Sequence, residues 1–178
     1  MLLKKIAQYM STTSGFTIKT APFTKQDWIA VSQIYKEGIA TGIATFETQI
    51  PTWNDWNALH IKTCRIKAVN DNTIIGWTAL SPTSKRNTYK GVAEISIYIS
   101  TKHRNLGIGK ILLEKLINES EKAGFWSLQA SIFSDNKASI ALHKSLGFRE
   151  IGYREKIGKL NNIWYDNTIL ERRSEIII

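Results

Sequence analysis

Between residues 92 and 124 the chain changes its hydrophobic period once, and that change dictates a local fold. Val92–Ser100 alternates Ile95, Ile97 and Ile99 with Glu94, Ser96 and Tyr98, the two-residue period of a half-buried strand. From Ile108 onward the apolar residues fall at Ile108, Ile111, Leu112 and Leu116, one stripe of a helix whose other face carries Lys115 and Glu119. Gly124 supplies its stop. A strand that feeds a helix through Arg104-Asn105-Leu106-Gly107-Ile108-Gly109-Lys110 is an α/β unit, and its turn has a chemistry of its own. Two glycines let backbone approach a ligand closely. The helix behind them offers free N–H groups and the positive end of its dipole. Lys102, Arg104 and Lys110 surround the turn, and residues 102–110 contain no acid. These features together describe a cradle for a pyrophosphate. They do not spell a P-loop, because Arg104 stands where the first glycine should be and Ile111 follows the lysine. Nor do they spell the three-glycine dinucleotide fingerprint.

The remaining segments alternate in the same way. Phe16–Thr20 reads as a strand, and Thr24 as the cap of a helix carrying Trp28, Val31, Ile34, Tyr35 and Ile39 up to Thr41-Gly42. Thr52 caps a second short helix, in which the spacing of Trp53, Trp56 and Leu59 predicts one shared face. Cys64–Val69 and Thr73–Leu80 form a hairpin around Asn70-Asp71-Asn72, and a basic loop, Ser81–Lys90, follows. Ser127–Phe133 is a strand, Asn136–Ser145 a helix, and strands near 148–157 and 162–170 finish the fold. The expected organisation is one mixed α/β domain over residues 16–172, an extension at 1–15 holding a short helix and a linker, and a tail at 173–178. With 178 residues, 43% hydrophobic and 3 Pro, the chain is outside the collagen, coiled-coil and disordered classes. Its 24 Lys+Arg against 15 Asp+Glu leave +9, which asks for an anionic partner. A single cysteine, Cys64, excludes an internal disulfide, and the strand position marks it as a buried small hydrophobe. No apolar run reaches the roughly 18–20 residues of a membrane span, and Lys4 and Lys5 interrupt the apolar N-terminus. The expectation is a cytoplasmic protein without a membrane partner. The six tryptophans are spread evenly rather than interleaved with bases, so no nucleic-acid partner is expected. His60, His103 and His143 show no ligand spacing, and no metal is expected.

A second motif lies one helix and one strand beyond the first: Asp135-Asn136-Lys137-Ala138-Ser139-Ile140-Ala141-Leu142-His143-Lys144-Ser145-Leu146-Gly147-Phe148. Arg-x-x-Gly-x-Gly followed by Asn-x-x-x-x-x-Leu-His-x-x-x-Gly-Phe resembles the GCN5-related N-acetyltransferase superfamily, over roughly Phe16 to Arg172. The resemblance implies a mixed, mostly antiparallel sheet of about seven strands, splayed at a central parallel pair and flanked by about four helices. It implies acetyl-coenzyme A (acetyl-CoA) as cosubstrate. Pantetheine would lie in the splay along Ile97, Tyr98 and Ile99, with the pyrophosphate on Arg104, Asn105, Leu106, Gly107, Ile108, Gly109 and Lys110. Asn136 would bond the pantetheine arm, with Ser139 and Leu142 beside it. Within the superfamily, Ala44-Thr45-Phe46-Glu47-Thr48, the loop with Arg86 and Tyr89, Ala93–Ile99 and His143 in place of tyrosine resemble the phosphinothricin acetyltransferase group. That likeness implies a homodimer and a small amino-acid-like acceptor of the phosphinothricin or methionine sulfoximine type. A protein N-terminus, an amino sugar or a polyamine is the alternative within the same fold. A non-catalytic basic module that binds nucleic acid is the alternative outside it.

Acyl transfer needs a neutral amine, and an α-amine is mostly protonated at pH 7. Glu94, at the centre of its strand, is the expected base, provided that partial burial raises its pKa. His143 is the expected proton donor to the leaving thiolate, and backbone amides of the Glu94 strand are expected to hold the thioester oxygen. Phe46 and Glu47 follow a helix end where a loop can close over an acceptor. Arg86 offers a guanidinium fork for a carboxylate, although Ser84 stands where related sequences carry a base. With Cys64 the only thiol and remote from both motifs, the expected transfer is direct, without an acyl-enzyme.

Overall fold

The alternation in Val92–Ile99 sets the layers of the whole molecule. Ala93, Ile95, Ile97 and Ile99 face one core and Tyr98 the other, so both faces of this strand are covered by helices. The computed structural model describes residues 10–13 and 16–178. The strands are β1 (Met10–Thr13), β2 (Phe16–Pro22), β3 (Ile66–Asn70), β4 (Thr73–Pro82), β5 (Val92–Ile99), β6 (Ser127–Phe133), β7 (Arg149–Leu160) and β8 (Ile163–Arg173). The helices are α1 (Trp28–Ile39), α2 (Trp53–Leu59), α3 (Ile108–Lys122) and α4 (Lys137–Ser145). One sheet runs in the order β1-β2-β3-β4-β5-β6-β8-β7, and every neighbouring pair is antiparallel except β5 and β6. It has eight strands rather than seven, because Met10–Thr13 pairs with β2. The rest of the short helix and linker expected in residues 1–15 lies outside the described residues. Among these residues no helix is long and apolar enough to cross a membrane.

On one face, α3 lays Ile108, Leu112 and Leu116 over Ile18, Ala68, Leu80 and Leu128. Each such side chain, once fully buried, contributes about 1.5–3 kcal/mol. On the other face α1 and α2 close an aromatic core of Phe23, Tyr35, Trp56 and Trp77. Trp56 is buried and Trp53 packs beside it, but Leu59 is 67% exposed. A step of three residues falls short of one turn, so two steps rotate Leu59 by about 120° from Trp53. The strand expected from Cys64 begins only at Ile66, because Cys64 has a left-handed φ of 60° and is half-buried.

Two contacts tie α1 to the strand and turn singled out above. Glu37 at its C-terminal end accepts from the Thr101 amide at 2.7 Å and from the Thr101 hydroxyl at 3.1 Å, which fixes the start of the glycine turn. Gly38 rests on the Tyr98 ring, where a Cβ would lie 2.5 Å from the nearest ring carbon. Replacing a helical glycine by alanine ordinarily gains about 1 kcal/mol. Here overpacking at about 1–3 kcal/mol wins. Gly38→Ala is expected to lower unfolding stability in urea; a stabilised variant would show that α1 is free to move off β5.

Candidate active site

The two parallel strands pair at Val92–Ser127, Ala93–Leu128 and Glu94–Gln129, and at no later position. Beyond Glu94, β5 keeps β4 as its neighbour to Ile99, while β6 follows β8. The edge of β5 that faces β6 therefore carries backbone groups from Ile95 to Ile99 that no strand satisfies. Inside a protein such groups need a partner, and an extended chain of ligand amides supplies one. This is the splay expected from the motifs.

Three cavities meet along β5. One of about 270 Å³ fills the splay, between Ser96–Tyr98 and Ala130–Phe133, with Asn136, Ser139 and His143 at its α4 side. A second of about 460 Å³ continues past Ile99 over the glycine turn, lined by Arg104, Asn105, Gly107, Ile108, Gly109, Lys110 and Leu142. A third of about 710 Å³ opens on the α1 side, walled by Tyr35, Leu59, His60 and Ser81–Lys85. Glu94 lines both the first and the third.

The second cavity has the form of an anion cradle. Gly107 caps α3 with a left-handed φ of 75°, no side chain caps this end, and a Cβ there would meet nothing within 4 Å. The N–H groups of the first helical turn therefore face open space, at the positive end of the dipole. Leu106 does not line the cavity; it packs against the core around α3 and anchors the turn from below.

Glu94 is half-buried, and burial raises its carboxyl pKa above the ordinary value; Arg154 of β7 and the Ser131 amide pull it part of the way back. His143 is only 2% exposed. Its Nδ1 lies 2.8 Å from the Ser139 carbonyl, which can only accept, so Nδ1 carries the proton. Nε2 then presents a lone pair; it is buried without a partner among the described residues, and His143 lines the splay cavity. Burial lowers the pKa of this ring, and the Ser139 bond only partly opposes that. A neutral ring in this tautomer has no proton at Nε2 to give until it has taken one, so the expected donation from His143 to the thiolate needs a prior transfer of a proton to Nε2.

Asn136 caps α4 by accepting from the Ser139 amide at 3.1 Å, and its Nδ2 donates to the Ile43 carbonyl at 3.3 Å. It thus ties α4 to the loop that bears Phe46 and Glu47. Phe46 packs against Phe133 in a tilted pair, with ring centroids 4.3 Å apart, and fills the space above Gly158. It is a packed wall of the splay cavity rather than a free lid. Glu47 lines the first and third cavities. Arg86 lines none of the three: it is exposed, and the base in the wall of the third cavity is Lys85. Sequence reasoning also missed Tyr35, His60, Ser96 and Asn167. Asn167 is buried in the splay wall, with Nδ2 on the Ser131 hydroxyl at 2.7 Å. Only the period of β5, which places Ser96 on the face of Glu94, gave a signal for any of them.

Residues 28–148 match the model of the acetyltransferase (GNAT) family. The chain belongs to that family. It is an N-acetyltransferase, and acetyl-CoA is its cosubstrate. The chain is 28% identical over 163 residues to the phosphinothricin N-acetyltransferase of Streptomyces viridochromogenes, covering 89% of each protein. It is 26% identical to the L-methionine sulfoximine/L-methionine sulfone acetyltransferase of Salmonella typhimurium, over 83% of this chain and 89% of that one. Among solved structures, the phosphinothricin acetyltransferase of Sinorhizobium meliloti in complex with acetyl-CoA superposes with a TM-score of 0.78 at 26% identity. That superposition covers 90% of this chain and 95% of the other.

The tautomer of His143 can be checked directly in this acetyltransferase. Nitrogen-15 NMR of the imidazole should show a protonated Nδ1 and a bare Nε2 at pH 7, titrating below the ordinary histidine value of about 6.5. A ring already protonated at pH 7 would show that Nε2 has no lone pair to receive a proton first.

Proposed function

We propose that this enzyme moves the acetyl group of acetyl-CoA directly to the α-amine of a small amino-acid-like acceptor. The observation that carries the reading is the position of Glu94, which lines both the splay and the cavity on the α1 side. A carboxylate there reaches a donor on one side and an amine on the other. The α1-side cavity holds Glu47 and Glu94 with one lysine, Lys85, a set of charges suited to an ammonium and one carboxylate. The relatives named for phosphinothricin and for methionine sulfoximine support an acceptor of that class.

Bound acetyl-CoA supplies the acetyl group as a thioester, whose C–S bond breaks as the acceptor's C–N bond forms. Its pyrophosphate would be held by the first turn of α3 with Arg104 and Lys110, and its pantetheine amides by the unpaired edge of β5. Glu94 takes the first proton, from the acceptor's ammonium. The nitrogen sheds a second proton as it bonds to carbon, and the lone pair of His143 Nε2 receives it. His143, now cationic, gives that proton to the departing thiolate. Thiols titrate near 8.5, so this last transfer is a modest aid. Free amides of β5 hold the developing negative charge on oxygen.

The chain also carries exposed apolar side chains on its last two strands, Ile151, Tyr153 and Ile157 on β7 with Ile163 and Trp164 on β8. These support pairing of two copies through this edge, and the one free thiol suits a reducing cytoplasm.

Three measurements test the reading. Acetyl-CoA at about a hundred times its Kd should stabilise the fold by about 2.7 kcal/mol. Gly107→Asp keeps a helix cap that tolerates left-handed φ but sets a carboxylate where the pyrophosphate would lie, and should abolish most of that shift. Glu94→Gln should keep the shift and lose turnover. The wild-type kcat/KM should fall as pH drops through the raised pKa of Glu94, because the base is lost on protonation. An unchanged kcat in Glu94→Gln across pH 6–9 would remove Glu94 from the reaction. A panel of phosphinothricin, methionine sulfoximine, methionine sulfone, a polyamine and an N-terminal peptide identifies the acceptor; turnover of the last two alone would overturn the amino-acid reading.

A further inference from the structure

The third cavity holds a histidine that the proton transfers above do not use. His60 ends α2, with its ring stacked on Trp56 at a centroid distance of 3.9 Å and an interplanar angle of 13°. Its Nδ1 lies 2.7 Å from the Trp56 carbonyl, an acceptor only, so Nδ1 is protonated and Nε2 carries the lone pair. No bond from Nε2 to another described residue is made, and the ring lines the cavity beside Leu59 and Ala58. Burial and the nearby Arg65 charge lower its pKa, which favours the neutral ring.

The ring is also held still. Arg65 donates to the carbonyls of Ile61 at 2.7 Å and His60 at 2.9 Å, and to Asn57 Oδ1 at 2.7 Å. Its guanidinium lies 4.8 Å from the centroid of the Trp56 ring. These bonds close the C-terminal turn of a helix only seven residues long. A short helix with its last carbonyls so tied presents the imidazole in one orientation, and a preorganised acceptor discriminates better than a mobile one.

We infer that His60 is a specificity-determining residue, whose Nε2 accepts a hydrogen bond from an N–H or O–H on the side chain of the acceptor. The inference rests on the amino-acid reading of the cavity. With Lys85 taken by the carboxylate and Glu94 by the amine, the α2 end of the cavity is left to the acceptor's side chain. That end is apolar at Leu59 and Ala58, and His60 is its polar feature. An acceptor without a donor there leaves Nε2 facing a ligand that cannot pair with it, which is costly.

Methionine sulfoximine and methionine sulfone separate the cases, because the sulfoximine carries an N–H where the sulfone has a second oxygen. The wild type should favour the sulfoximine in kcat/KM by about five- to ten-fold. His60→Phe keeps the stack on Trp56 but has no lone pair, and should bring the ratio to about one, chiefly through KM. His60→Gln restores an acceptor and should recover part of the preference. The thermal shift with acetyl-CoA shows that each variant is folded; if His60→Phe is not, His60→Leu replaces it. An unchanged ratio in the folded Phe or Leu variant overturns the role of His60 while leaving the amino-acid reading intact. Failure of the wild type to acetylate either compound, with acetyl-CoA still binding, overturns that reading and this inference with it.

Discussion

The parallel ladder between β5 and β6 is three residue pairs long, and the active site depends on its ending there. Had the two strands stayed together to Ile99, the backbone of β5 would be satisfied on both edges, and nothing would remain to hold an extended ligand. Because they part after Glu94, no strand among the described residues pairs with that edge of β5 beyond it, an arrangement that ordinary packing avoids. The cost is tolerated because the two flanking cores are large. Leu112, Leu116 and Leu128 lock one side, and Trp56 and Trp77 the other. The sheet can therefore open in its middle without losing its register.

The same split sets the electrostatics. Glu94 is the last residue of β5 that pairs with β6 and stands where the strands diverge, half in the core and half in the cavities. Burial pushes its carboxyl pKa up and the ring of His143 down, so both groups are moved toward their neutral forms. A stronger carboxylate base and a bare imidazole result. Cationic residues, by contrast, collect at the glycine turn, where Arg104 and Lys110 flank a helix N-terminus. Residues 85–122 hold eight Lys/Arg against four Asp/Glu, so part of the +9 excess lies around this turn.

Much of this was legible in the residues alone. Two-residue alternation identified β5 and its two faces, and the apolar stripe with Gly124 identified α3. Asp71 and Asn72 marked the hairpin between β3 and β4, and both adopt the left-handed φ that such a turn requires. Asn136, Ser139 and Leu142 line the cleft with Gly107 and Gly109, as the family resemblance of the two motifs implies. What escaped was set by contacts between distant segments. Leu106 looked like part of the cradle, yet its side chain turns into the core. Arg86 looked like the carboxylate grip, yet the neighbouring Lys85 faces the cavity. In a polar loop without a period, nothing local tells which of two adjacent bases points inward.

By itself, then, the sequence determined the order of strands and helices, the position of the glycine cradle and the carboxylate at the centre of β5. These follow from local periodicity and from the torsions that glycine permits, and need no knowledge of what packs where. Tertiary structure alone decided the protonation of His143 and the orientation of His60. Each ring is fixed by one carbonyl four residues back in the chain, but the burial that lowers its pKa comes from segments far away. It also decided which side chains wall the α1-side cavity, because α2, the 81–85 loop and β5 meet there only once the sheet has formed. A hydrogen-bond tautomer depends on where a ring is held, and periodicity carries no record of that.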